Sequence, residues 1–389
     1  MLSHNKGRIR AVIIDNGLNK RIYQELTGKR IKVYRIEKHN YLIEEGDKEY
    51  CGLSHGTVCT AILTEFAEDS EIISISLADG GKPPLYHFKA AILWCLNHSV
   101  DVICMSMGVT SLLEINPLLP LFERLAENNI IVVAAASNDG WITYPASLPS
   151  VLGVKYRKEE SKDLPLYTAI IDNPVDEIDI ETDLPKSLAL QQLRENYHYS
   201  SAISNSMAAP FIAARIIELI RRGYPHSSLS EIKQSLIRYM GVRTMQGKED
   251  TSYASQEELL SGLKNLPFPI IGLVYREEQE SDAQRLVLSL QRIFFRNGFN
   301  AVLFSPILER SIAENVFRLD ESKLEGDFIM YTKLILPDII LLHLPNRSFA
   351  AMKDGSFIDY IVEYNTECKA KTVEDQAESI YHKAVELFR

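Results

Sequence analysis

Over the first 240 positions, apolar residues fall into short, near-continuous runs separated by longer stretches with helical spacing. A parallel strand covered on both faces needs four to six consecutive apolar residues, whereas apolar positions three and four apart mark a helix packed on one side. The pattern predicts strands at Ile9–Ile14, Ile72–Leu77, Val102–Met105, Ile130–Ala135 and Val151–Val154. It predicts helices over His55–Phe66, His87–Leu96 and Leu118–Glu127, then a long helix ending near Arg222 and another over Ser230–Tyr239. Such alternation describes an α/β domain with a mostly parallel sheet.

The polar stretch Thr244–Ser255 ends this regime. The expected division is a domain over 1–243, a linker over 244–266 and a smaller α/β unit over 267–389. That unit starts with a strand at Pro269–Tyr275, a helix over Asp282–Asn297 and a strand at Asn300–Phe304, a flavodoxin-like outline. A buried strand follows at Pro337–Leu344, and a last amphipathic helix over Val373–Phe388 puts Ala377, Ile380, Ala384 and Leu387 on one side. Phe294, Phe295 and Phe299 are expected in its core. The loop after its first strand, YREEQESD, lacks the glycines that let backbone amides approach a phosphate.

Composition narrows the function classes. With 52 acidic and 42 basic residues among 389, the formal charge is -10, and with no basic stripe along the sequence nucleic acid is not an expected partner. An apolar content of 46% is too high for a disordered chain. The apolar run before Asp15 is four residues long, too short for a signal peptide, and no stretch of eighteen apolar residues suggests a membrane span. The expected compartment is the cytoplasm. Cys51, Cys59, Cys95, Cys104 and Cys368 form no CxxC pair and no zinc-like spacing, so free thiols are expected and no metal. No calcium-type loop of Asp, Asn and Gly appears, and no cofactor is implied. Residues 172–183 hold six acids and no base, a pattern that predicts a solvated loop.

Three segments carry the chemistry: AVIIDNG around Asp15, SHGTVCTAIL around His55 and SNSMAAPFIAA around Ser206. A serine hydroxyl attacks a carbonyl only when a base takes its proton, and a histidine does so well only when a carboxylate fixes its tautomer. Asp15 emerges at the carboxyl end of a buried strand, while His55 and Ser206 each precede a helix, so one of each group can meet.

The order Asp, His, Ser, with DNG, HGT and NSMAAP in place, resembles the subtilisin-like serine peptidases. DVICMSMG (Asp101 to Gly108) resembles that family's peptide-pairing strand, IIVVAAASNDG (Ile130 to Gly140) its segment ending in the oxyanion asparagine, and YPASLPSVLGV (Tyr144 to Val154) the segment that follows. The likeness spans roughly residues 8–222. It implies Ser206 as nucleophile, His55 as general base and then acid, Asp15 as orienting carboxylate, and Asn138 with the Ser206 N–H as oxyanion donors. It implies substrate contacts at Ser106, Met107, Gly108, Ala136 and Thr143.

The chain departs from the family pattern at Ser204-Asn205, where Gly-Thr is usual, at Ser137 for glycine, and at Thr143, where a glycine often lines the primary pocket. These changes point to a reshaped, narrower site. With Asp15 so near Met1, no inhibitory prodomain is expected ahead of it. The resemblance implies a peptide or protein substrate, and the architecture suits a dedicated task such as leader removal from a ribosomally made, modified peptide. Alternatives are a general intracellular subtilisin, a peptide cyclase, and a catalytically silent binding protein of the same fold.

Overall fold

The computed structural model describes residues 8–36, 43–45, 52–77, 83–157, 167–245, 266–352, 355–364 and 372–388. The chain forms two compact units, residues 1–109 with 117–248 and residues 249–389 with 110–116. The proposed linker lies largely outside the described residues, as do Cys51 and Cys368.

The first unit is built on β1 (Arg10–Asp15), β2 (Lys32–Ile36), β3 (Ile43–Glu45), β4 (Glu71–Ser76), β5 (Val102–Met105), β6 (Ile131–Ala135), β7 (Leu152–Tyr156), β8 (Thr168–Ile170), β9 (Ile180–Thr182) and β10 (Arg243–Thr244). They form one sheet in the order β10-β8-β9-β7-β6-β5-β1-β4-β2-β3. All pairings are parallel except β2 with β3 and β8 with β9. β1 lies between β4 and β5, which pair with its two edges, and Ala11 to Ile14 are buried on both faces of the sheet, the reason its apolar run is continuous. Side chains alternate, and Ala11, Ile13, Val102, Cys104, Val133 and Val154 share a core with Val58 and Ile62 of the helix His55–Phe66 and with Met207, Ile212, Ile216 and Ile220 of the helix Asn205–Arg221. Those two helices thus lie on one face of the sheet, with their N-termini near the carboxyl ends of its central strands.

The five expected strands and the expected helices of this unit all form, with ends shifted by a few residues. The acidic stretch 172–183 needs correction. It is not a solvated loop: it contains β9, Ile178 and Ile180 are core residues, and Asp179 is buried, accepting from the Gly153 N–H at 2.7 Å. The bases it lacks in sequence come from elsewhere. Lys233 pairs with both Asp172 and Asp179, and Arg157 grips Asp183 through two bonds of 2.8 Å.

Among the described residues the second unit has five strands, β11 (Ile270–Tyr275), β12 (Ala301–Ser305), β13 (Val316–Arg318), β14 (Ile339–Pro345) and β15 (Tyr360–Glu363), in the order β13-β12-β14-β11-β15 and all parallel. Counted within the unit the order is 3-2-4-1-5, whereas flavodoxin has 2-1-3-4-5, so that likeness extends to class and sheet type only. The helices Glu280–Arg296 and Val373–Leu387 pack together over the sheet, burying Phe294, Ala377, Ile380 and Ala384. Two expectations fail here: Leu387 is 61% exposed in the last helical turn, and Phe299 lies beyond its helix at 36% exposure. Among the described residues no helix is long and apolar enough to cross a membrane.

Candidate functional site

Asp15 is the last residue of β1 and is 1% exposed. The turn after it is fastened to the helix that begins at His55. Ser54, the N-cap of that helix, accepts from the Thr57 N–H at 3.2 Å and donates its hydroxyl to the Gly17 carbonyl at 2.8 Å. The Gly56 N–H donates to Asn16 Oδ1 at 3.1 Å, and the Asn19 N–H to Thr57 Oγ1 at 2.8 Å. A Cβ at Gly56 would sit 2.2 Å from the Gly17 oxygen and 3.0 Å from Asp15 Cβ, so only glycine admits this approach. The DNG and SHGT segments are therefore two halves of one joint.

That joint brings the acid to the base. His55 Nδ1 lies 3.0 Å from both Asp15 carboxylate oxygens, and His55 Nε2 lies 2.8 Å from Ser206 Oγ. Ser206 occupies the first turn of the helix Asn205–Arg221 and is 5% exposed. Pro210 sits inside this helix and has no N–H, so the Ser206 carbonyl four residues back lacks a helical donor. The Cys59 thiol supplies one, at 3.2 Å. Cys59 entered the sequence reading only as a buried free thiol; its partner could be found by pairing the proline with the carbonyl it orphans.

The His55 ring is raised above its ordinary value. The largest influence is the Cys59 sulfur, 3.7–3.8 Å away, followed by burial, which opposes the charge, and then the closer Asp15 carboxylate, which favours it. Burial pushes the Cys59 thiol up as well. A thiol that is fully buried and donating its proton to a carbonyl carries no charge at neutral pH, so the carboxylate sustains the shift. Asp15, His55 and Cys59 hold ligand atoms within 4.8 Å of one another, the arrangement a metal ion would need. All three already bond to groups of this chain.

Asn138 stands three residues past β6 and is exposed. Its Oδ1 accepts from the Asn205 N–H at 2.9 Å, which turns the oxygen toward the Ser206 helix and leaves the amide NH2 on the opposite side of Cγ. The Asn205 side chain is a second tether. Its Nδ2 donates to the carbonyls of Ala136 (3.2 Å) and Ser137 (2.7 Å), and its Oδ1 accepts from the Tyr156 N–H at 2.7 Å. In the sequence Asn205 stands out only as a departure from the family pattern, because nothing local foretells a bond 68 residues away.

The expected substrate residues are split. Ser106 is buried, Met107 half-buried and Gly108 exposed in the segment after β5. Val109 and Tyr144 exchange bonds of 2.8 and 2.7 Å, which draws Gly108 against Thr143. A Cβ at Gly108 would lie 2.7 Å from Thr143 Cγ2 and 2.4 Å from the Tyr144 oxygen. A cavity of about 580 Å³ opens on the Asn138 side, lined by Ala136, Asn138, Trp141, Tyr156, Tyr167 and Asn205 among others; of the five expected residues only Ala136 borders it.

Residues 13–258 match the model of the subtilase family, over half of the chain. The protein belongs to the subtilase family. Among solved structures it is similar to a cold adapted subtilisin-like serine proteinase, at 14% identity over 62% of this chain and 89% of that one, TM-score 0.41. It is also similar to the epidermin leader peptide processing serine protease of Staphylococcus aureus (16%, 60% and 70%, TM-score 0.42) and to the nisin leader peptidase of Lactococcus lactis (12%, 62% and 86%, TM-score 0.43). No curated protein sequence matches the chain.

Proposed function

We propose that this subtilase is a serine endopeptidase that cleaves peptide bonds through an acyl-enzyme. The observation that carries the proposal is the unbroken chain from the Asp15 carboxylate through His55 to Ser206 Oγ, at 3.0 and 2.8 Å. Asp15 fixes the proton on Nδ1, so Nε2 is an acceptor aimed at the serine. As Ser206 Oγ bonds to the scissile carbonyl carbon, its proton passes to Nε2 and the carbonyl π pair moves onto oxygen. The Asn138 amide and the Ser206 N–H at the helix N-terminus receive that oxyanion. The imidazolium then protonates the leaving amine, and water reverses the sequence to free the acyl group.

The test is intact mass after exposure to a fluorophosphonate, in which the serine oxygen displaces fluoride from phosphorus. One adduct on the wild type, absent from Ser206→Ala and His55→Ala, is the expected result. A folded wild type that takes none would put the silent binding protein in its place.

The contact between Gly108 and Thr143 supports a restricted primary pocket, and hence a dedicated processing substrate, such as a precursor peptide with a leader, over general protein degradation. Replacing Thr143 by glycine removes the methyl that crowds this wall. In a peptide library, Thr143→Gly should raise kcat/KM for large residues before the scissile bond, relative to alanine there, by about tenfold or more. An unchanged preference would show that the pocket lies elsewhere.

A further inference from the structure

The Ser204 hydroxyl lies 2.9 Å from Ser206 Oγ. Ser204 is the N-cap of the Ser206 helix, extended at φ -139° and ψ 168°, where a serine side chain ordinarily accepts from a backbone N–H two or three residues on. It makes no such bond. Its backbone carbonyl instead takes the N–H groups of Met207 and Ala208, at 3.0 and 3.2 Å, and the hydroxyl is turned to the nucleophile.

The direction of that bond follows from its neighbours. The Asp15 carboxylate can only accept, so it holds the proton on His55 Nδ1, and in the neutral form from which attack starts the ring presents a lone pair at Nε2. Ser206 has a single hydroxyl proton, and it goes to Nε2. Ser204 is therefore the donor and Ser206 Oγ the acceptor. The four tetrahedral directions around Ser206 Oγ are then assigned: its Cβ, the proton shared with His55, the lone pair receiving Ser204, and one lone pair left over.

We infer that Ser204 is a further catalytic residue, which holds Ser206 Oγ so that this remaining lone pair faces the substrate carbonyl and which donates to the oxygen as its proton departs. The inference rests on the peptidase reading. In the attack, the Ser206 proton moves to Nε2, the remaining lone pair forms the carbon–oxygen bond, and the carbonyl π pair becomes the oxyanion; Ser204 keeps its own proton. In deacylation the bond from the acyl carbon to Oγ breaks, Oγ takes the electron pair and regains a proton from His55, and the Ser204 hydroxyl favours that departure by hydrogen bonding to the leaving oxygen. A glycine at 204, the family's usual residue, has no group that could do this.

Because the hydroxyl caps nothing, removing it leaves the helix intact, and chemistry can be separated from folding. The experiment measures the second-order rate of phosphonylation of the full chain by a fluorophosphonate for wild type, Ser204→Ala, Ser204→Gly and Ser204→Thr, with Ser206→Ala as blank and a thermal midpoint for each. Ser204→Ala should react about tenfold more slowly, the scale of one hydrogen bond to a reacting centre. Ser204→Thr, which restores a hydroxyl, should return to within about threefold of wild type, with thermal midpoints unmoved. Should the alanine variant fail to fold, Ser204→Gly provides the comparison. A wild-type rate in the variant lacking the hydroxyl, or a loss that threonine does not repair, overturns the inference and leaves the peptidase reading standing. Absence of any Ser206 adduct on the folded wild type overturns both.

Discussion

Asp15→Asn should lower kcat/KM by about 10⁴-fold while leaving the fold in place, the largest loss expected from a single isosteric change in this site. Both carboxylate oxygens now face His55 Nδ1 at 3.0 Å, and one also accepts from the Asn16 N–H at 2.7 Å. An amide would keep the shape but offer an NH2 toward the ring, favouring the tautomer with its proton on Nε2, where it cannot take one from Ser206. The imidazolium formed in the reaction would also lose its counter-charge.

The pH profile carries the same argument with a definite sign. In the proposed reaction His55 acts in its neutral form, and its folded pKa is raised, so activity should rise with pH through a midpoint above the ordinary histidine value. Residual activity of Asp15→Asn should show that midpoint moved down. Cys59→Ala should leave it near the wild-type position, because a neutral thiol contributes no charge. A midpoint that followed Cys59 and ignored Asp15 would mean that the sulfur is ionised beside the ring, and the assignment of the shift to the carboxylate would fail.

The parts of the fold legible in sequence are those whose burial is continuous. β1, β5 and β6 are covered on both faces, so their residues are apolar nearly in succession, and the long Ser206 helix must bury most of its turns. β8 and β9 span three residues each and β10 two, too short for alternation to register, and their acidic neighbours, Asp179 among them, are neutralised by Lys233 far along the chain. The same division holds at the site. Asp15, His55 and Ser206 stand in local motifs because a strand end, a cap and a helix start each leave a local signature. Asn205 does not, since its role consists of bonds whose partners are chosen only when β6, β7 and the Ser206 helix converge, and Ser204, two residues from its partner, stands at a cap position where a serine hydroxyl ordinarily turns to the backbone.

Asn205→Ala should reduce kcat by about 10- to 100-fold with little change in KM, and should lower the thermal midpoint by several degrees. Its side chain joins three places: the carbonyls of Ala136 and Ser137, and the Tyr156 N–H at the end of β7. Truncation leaves those backbone groups without these partners, at about 1–3 kcal/mol for each that stays buried. Ser137 immediately precedes Asn138, so its release loosens the amide proposed to meet the oxyanion, and a displacement of about 1 Å in such a group costs on the order of 10²-fold. The ceiling is the full contribution of one oxyanion donor, about 10²–10³-fold. If Asn205 acts through Asn138, the two losses cannot add: in an Asn138→Ala background, Asn205→Ala should cost less than about threefold in kcat while its effect on the thermal midpoint persists. Additive losses in kcat would instead assign Asn205 a separate part in the chemistry. The backbone bond from the Asn205 N–H to Asn138 Oδ1 survives Asn205→Ala, so whatever activity remains in that single variant measures how far one main-chain contact can hold the asparagine in place alone.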